Sequence, residues 1–464
     1  MVNYATQAFF DKWVCQHIKA HCFLESLISD CYPELMTQAP RKQFDGNATG
    51  RSSRRSSKRD AILDVGARLM NDEGAGGVRL SDIADQLGLS RNALYYYVKD
   101  RADLVRQCYI RSCETIESDL KAVVAAQPEP REQIALFIAQ TLQSDRPQRA
   151  VLADIDILEQ PYCEQLQSRC DTHVVDLSNI LKAGQAKGVF KGFDPEIASY
   201  ALLGMMSWSL LWTNWLTDNE DTARTKRQEL IVTIQNLFFH GLRSRDGEDF
   251  VCKFDYASLT HQNYNVFDRS DANLLRQSQL IAAASLLFNR RGLDGASIEA
   301  IAEAVGASKG AIYHHFQDKA DLVERCYERA FKQYEMIIDR TEASGAGPLD
   351  ILLSVLHLNC QAQANSAPPL ALQPGLTRLP KHYLDRSNTI TSKMRAALES
   401  AVKTGSIEND DPEIVSVSAG AFFWIQKWRQ NHPKPSPMEI ADQMTTLIKS
   451  GICAVDTDMR MPSR

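Results

Sequence analysis

The sequence predicts an all-α protein built from two tandem units. Two observations carry this: an internal repeat at a constant offset, and a helical period nearly everywhere. No segment shows a convincing strand alternation.

The repeat aligns Asp60–Tyr109 with Ser278–Tyr327 without gaps, and about 17 of 50 positions are identical. Among them are Gly74/Gly292, Gly88/Gly306, Ser90/Ser308, Tyr95/Tyr313 and Ala102-Asp103-Leu104-Val105/Ala320-Asp321-Leu322-Val323. Downstream, Asp194-Pro195-Glu196-Ile197 recurs as Asp411-Pro412-Glu413-Ile414, with Gly188 and Gly405 upstream of each. Each repeat is therefore a whole unit rather than an isolated motif. The first helix of each unit shows one apolar face: Ile62, Gly66, Leu69 and Met70, then Leu280, Ala284, Leu287 and Phe288.

Bulk properties narrow the class. The chain has 464 residues, 44% hydrophobic and 24% charged, with net charge -6. That is a multi-domain globular protein and not a basic nucleic-acid coat, so any nucleic-acid surface must be local. The eleven cysteines form no Cys-x-x-Cys pair and read as buried thiols of a reducing cytoplasm. No metal or cofactor is expected. The most apolar stretch, Ala198–Leu216, contains Ser207, Ser209, Thr213 and Asn214, and reads as a buried helix rather than a membrane span. The N-terminus lacks a basic start followed by a clean apolar core, so no signal peptide is expected. Residues 1–50 read as an extension, either disordered or a short helix, and Met36 offers an alternative start.

Each unit opens with a first helix, a turn at Gly74 or Gly292, and two short helices. Ser297 is placed to cap the second of these in the second unit, where Ile298, Ile301, Ala302 and Val305 form its buried face. Gly306 makes the tight turn and Ser308 caps the third helix; Gly88 and Ser90 take these places in the first unit. The fourth helix starts at Asp100 or Asp318 with Asp103 or Asp321 three residues on, a capping box made of aspartates.

These residues resemble the TetR family of bacterial repressors. The first unit carries Ile83-Ala84, Gly88-Leu89-Ser90-Arg91-Asn92-Ala93-Leu94-Tyr95-Tyr96-Tyr97-Val98 and Arg101-Ala102-Asp103-Leu104. The second carries Ile301-Ala302, Gly306-Ala307-Ser308-Lys309-Gly310-Ala311-Ile312-Tyr313-His314-His315-Phe316 and Lys319-Ala320-Asp321-Leu322. The first departs from the pattern at Arg79, where a cap hydroxyl is usual, and at Val98, where Phe is usual. The resemblance implies in each unit a three-helix helix-turn-helix DNA-binding domain followed by a helical ligand-binding and dimerisation domain. It implies that the third helix enters the major groove, with Arg91, Asn92 and Tyr96 or Lys309, Gly310 and His314 at base edges. Ser90, Tyr95 and Arg101, and likewise Ser308, Tyr313 and Lys319, would contact phosphates. Tyr97 and His315 are read either this way or as packing between helices.

A basic run, Arg51 to Arg59, precedes the first unit alone, and is read as a flexible arm following phosphates or entering the minor groove, with Arg54 and Arg55 at its centre. A solvated tail is the other reading. The resulting domain scheme is 51–105 and 106–242 for the first reader and sensor, 243–273 as a flexible linker, and 274–323 and 324–455 for the second pair.

The tail of the first sensor, from Phe193 through Trp208 and Trp212 to Leu242, resembles relatives that sense acyl-CoA thioesters. Phe137, Tyr162, Trp208, Trp212, Phe423 and Trp424 are candidate effector-lining residues, although ordinary core packing is the better reading for any one of them taken alone.

Catalysis finds no site. Gly306-Ala307-Ser308-Lys309-Gly310 matches a nucleophile elbow, but the elbow needs a preceding strand and the preceding residues are helical. Adjacent His314 and His315 point to different helix faces and make no metal pair. The expected protein is a cytoplasmic, ligand-responsive transcriptional repressor that binds double-stranded operator DNA as a covalent pseudo-dimer. In the alternative, one unit is only a scaffold and the chain homodimerises through the other, or the protein is an activator.

Overall fold

Helices begin where the caps predict. The computed structural model describes residues 50–143, 146–216, 220–244, 250–261, 264–265, 267–372, 380–428 and 435–454, with side chains 50–56, 214–216, 220–221 and 223 left aside. The first reader comprises α1 (Gly50–Glu73), α2 (Leu80–Gln86) and α3 (Arg91–Tyr95). Its sensor follows as α4 (Arg101–Ala126), α5 (Pro130–Leu142), a 3-10 turn (Ile155–Ile157), α6 (Tyr162–Ala186), α7 (Pro195–Leu216) and α8 (Glu220–His240). After the short α9 (Tyr256–Thr260), the order repeats. It runs α10 (Arg269–Gly295), α11 (Ile298–Ala304), α12 (Lys309–His315), α13 (Lys319–Glu342), α14 (Pro348–Ala364), α15 (Lys381–Lys403), α16 (Ile414–Phe423), α17 (Ile425–Trp428) and α18 (Pro437–Ser450). The described residues contain two isolated β-bridges and no strand.

Two expectations are corrected. The basic run is not a loose arm in its backbone: α1 already includes Arg51–Arg59. Ser, Arg and Lys tolerate a helix, and no Gly or Pro interrupts them. The described part of the linker is not free either. Its Tyr256 is 3% exposed, and packs with Phe254 and Leu259 against α13 and α14. The Tyr256 amide donates to Gln361 Oε1 at 3.0 Å. Apolar side chains in the linker favour this docking over a solvated coil. The first helix of the second unit starts at Arg269, capped by Asp268, five residues ahead of the expected boundary.

From Lys58 onward the chain forms one compact unit. Its centre is a four-helix bundle in which α7 and α8 of the first sensor pack on α16 and α18 of the second. The contacts are reciprocal. Phe190 pairs with Cys453, and Ser244 with Ile407, joining the end of each repeat to the turn before the other's bundle helices. Gly241 and Gly451 lie against each other's backbone in the same manner. One apolar core runs through both sensors, and takes in Trp208, Phe238, Phe422 and Phe423. The halves thus meet as subunits of a two-fold dimer do, but within one chain.

Candidate nucleic-acid interface and effector cavity

The reading elements are set by caps. Ser90 accepts from the Ala93 amide, and Ser308 from that of Ala311. Gly88 and Gly306 adopt φ +60 and +62 between the two short helices, a conformation that a side chain would strain. Ser297 caps α11, whereas Arg79 at the same place in α2 makes no side-chain cap. The aspartate boxes form: Asp100 and Asp318 accept from the amides of Asp103 and Asp321. The second aspartates reach back to the amides of Lys99 and Gln317, one residue before the cap. Burial opposes the charge on Asp103, but the Lys99 amide, Arg106 and Gln107 outweigh it and hold its carboxyl below the usual range.

On this scaffold the third helices point polar side chains outward. Arg91, Asn92, Lys309, Gly310 and His314 are exposed, as are Ser90 and Ser308. Tyr95 is 53%, Tyr96 63% and Tyr313 47% exposed, a large apolar area to leave in water. Tyr97 and His315 are half-buried, and the ring of Tyr97 packs edge-on to Tyr96. Arg54 and Arg55 lie outside the described side chains.

The units differ in how their cations are held. Lys309 is bound to Glu299 of α11 at 2.5 Å, and that hydrogen bond raises its pKa. The first unit has Ser81 at the place of Glu299. Arg101 and Lys319 bond to the carbonyls of Gly76 and Asp294, at 2.6 and 3.4 Å. They therefore brace the turn after the first helix as well as lying beside the recognition helix.

A buried side-chain amide pins each reader to its sensor. Asn71 donates to Arg149 O and accepts from the Val151 amide, at 2.9 and 2.8 Å. Asn289 makes the same pair with Pro369 O and the Ala371 amide, both at 2.8 Å. Their identity in the repeat alignment was the available signal, and the apolar pattern alone passes over them. The two readers also meet. A Cβ on Gly76 would lie 2.2 Å from Asp294 Cβ, its counterpart position. Asp154, from the first sensor, accepts from the Ala75 amide at 3.1 Å and lies against Gly292 of the second reader.

Of the aromatic candidates, Trp208, Trp212 and Phe423 come together. They line an apolar cavity of about 150 Å³ in the second sensor. Trp424 sits instead at the bundle contact with Gly204. Phe137 is fully buried in the core, and Tyr162 is 44% exposed beneath the Arg106 guanidinium. These last three do not line this cavity: helix packing carries them elsewhere. Sequence reading missed Phe331, Tyr334 and Asn359 on the cavity wall. The described residues contain no cluster of groups suited to a metal, and no helix long and apolar enough to cross a membrane.

Two capped helix-turn-helix readers on helical sensors define a DNA-binding transcriptional regulator. Comparison with known proteins gives the family. The description "Bacterial regulatory proteins, tetR family" matches residues 62–108 and again 280–326, and "Tetracyclin repressor-like, C-terminal domain" matches 128–214. The HTH-type transcriptional repressor KstR2 of Rhodococcus jostii is 26% identical over 191 residues, 39% of this chain and 92% of the relative. The regulator AcrR of Shigella flexneri is 32% identical over 89 residues, 19% of this chain and 41% of AcrR. A solved TetR-family regulator, PfmR of Thermus thermophilus, covers 37% of this chain and 97% of its own, at 22% identity and TM-score 0.29. The chain therefore carries two TetR-family reader units in tandem.

Proposed function

We propose that this chain is a ligand-responsive repressor that acts as a covalent pseudo-dimer and reads an asymmetric operator. The observation that carries the reading is the reciprocal packing of α7 and α8 on α16 and α18, which puts two readers on one symmetric core. Ordinary two-fold dimers read palindromes because their halves are identical. Here Arg91, Asn92 and Tyr96 stand opposite Lys309, Gly310 and His314, so the two half-sites differ. Tyr95, Arg101, Ser90 and their counterparts Tyr313, Lys319 and Ser308 serve as phosphate contacts; Arg54 and Arg55 extend the first footprint. The protein works by binding and release in the cytoplasm, without catalysis. Its effector is an apolar molecule, or the acyl part of a CoA thioester, since the cavity walls are apolar.

Footprinting on the DNA upstream of its own gene tests this. One chain should protect two unlike half-sites. Tyr95→Ala should empty one half and Tyr313→Ala the other. A palindromic footprint occupied by two chains through a single reader would overturn the proposal.

A further inference from the structure

The cavity is made by both halves of the chain. Its walls come from α13, α14, α15 and α16 of the second sensor, but Trp208 and Trp212 reach it from α7 of the first. The Trp208 ring lies 5.0 Å from that of Phe423 and 6.1 Å from that of Trp212, so the indoles form a continuous aromatic side.

The chemistry of the wall is specific. No charged side chain lines the cavity among the described residues. Two cations touch the wall from outside, and both are engaged. Arg395 reaches Ser416 Oγ at 3.4 Å and is held by Glu413 at 3.2 Å. Arg386 lies over the Phe331 ring and is held by Glu328 and Glu335. An ionised group inside would remain uncompensated, at a cost the apolar walls cannot repay. One polar side chain is left incomplete. Asn359 is 6% exposed, and its Nδ2 donates to Val355 O at 2.8 Å. That bond fixes the amide orientation and turns Oδ1, a buried acceptor without a partner, to the remaining direction. The buried indole N–H of Trp212 likewise has no acceptor. Buried polar atoms are nearly always bonded, so an orphan pair on a cavity wall points to a guest that supplies the partners.

The first sensor is not built this way. At the place of cavity-lining Ile390 it carries His173, 2% exposed and 3.4 Å from Glu117, which Arg169 clamps at 2.7 Å. A buried imidazole thus stands where the second unit is apolar, while the Glu117–Arg169 pair beside it recurs in the second unit as Glu335–Arg386.

We propose that the chain binds one uncharged, largely apolar ligand, which donates a hydrogen bond to Asn359 Oδ1 and is closed in by the first unit's Trp208 and Trp212. This deepens the effector reading above: one ligand per two readers, and any anionic carrier group outside the cavity.

The test uses the full-length chain and two fluorescent probes with the same ring skeleton. N-phenylnaphthylamine is neutral with one N–H donor; anilinonaphthalene sulfonate adds an anion. The neutral probe should bind once per chain, at least about tenfold tighter than the sulfonate. Asn359→Leu should weaken it about tenfold, while an N-methylated probe without the donor binds as before, which also shows that the variant is folded. Trp212→Leu, in the other half of the chain, should weaken both neutral probes. Two equivalent sites per chain, equal affinity for the sulfonate, or indifference to Trp212→Leu would each overturn the proposal. Probe binding that leaves operator affinity unchanged would refute ligand control of repression, but not this site.

Discussion

Gly204 and Gly420 face each other across the pseudo-two-fold axis, each at the other's carbonyl. A Cβ on Gly204 would lie 2.6 Å from Gly420 O, and one on Gly420 would lie 2.7 Å from Gly204 O and from Trp208 Cβ. Neither neighbour can yield, because backbone and a buried indole stem form the contact. The helices α7 and α16 therefore approach as closely as they do only because both positions lack a side chain. Gly420→Ala should cost about 2 kcal/mol of overpacking. Thermal unfolding reads the loss, and an unchanged transition would remove this contact as the seam of the bundle.

Asn71 and Asn289 predict a second, paired result. Each replaces two missing backbone partners in the loop that links sensor to reader. Asn71→Ala leaves Arg149 O and the Val151 amide unpaired, and Asn289→Ala does the same to Pro369 O and the Ala371 amide. Each change should destabilise the chain by about 2 kcal/mol in denaturant titration. Their effects on operator affinity should be alike, since the two pins are equivalent. A loss confined to one of them would mean that the two pins do not carry the same load.

In the proposed interface Glu299 competes with DNA phosphate for Lys309, to which it is bound in the free chain. The pair is exposed on both sides, so it is weak in water and easily exchanged for phosphate. Glu299→Gln should tighten operator binding about threefold at low salt and steepen its salt dependence. The corresponding change Ser81→Glu should weaken the first reader. Titrations at several salt concentrations check both, and a flat response would place Lys309 outside the interface.

Most of this architecture was legible from the repeat. Caps, turns and apolar faces are local features, so Ser90, Ser308, Asp100, Asp318, Gly88 and Gly306 stand where their spacing put them. The linker misled because its apolar residues follow no period, yet Tyr256 and Leu259 bury themselves on α14. The cavity was half legible. Aromatic residues announce themselves, but whether Trp212 lines a void or Phe137 fills a core depends on helix packing that no local pattern encodes. The contact between Asp154 and Lys427 was invisible, since it joins segments far apart in sequence and has no counterpart in the repeat.

That contact yields the last prediction. Lys427 stands in α17, four residues after the cavity wall residue Phe423, and its Nζ lies 3.8 Å from Asp154 Oδ1. Both side chains are nearly excluded from water, at 11% and 5% exposure. Asp154 in turn holds the Ala75 amide of the first reader and abuts Gly292 of the second. The ammonium thus ties the cavity to both readers. Burial disfavours its charge and lowers its pKa, with Asp154 and Asp156 opposing the shift only in part. A lysine whose folded value lies below its unfolded one binds fewer protons in the native state within that window. The native state therefore gains stability as pH rises through the lowered value toward the ordinary lysine range. Unfolding of the native chain and of Lys427→Met should be compared across that alkaline window. The difference should grow with pH in favour of the native chain. At neutral pH the variant should lose about 3 kcal/mol, because Asp154 is left as a buried charge. It should also hold the operator when the neutral probe is bound, having lost the link from cavity to readers. Parallel pH curves, together with unchanged operator release, would show that Lys427 is only a tolerated buried cation.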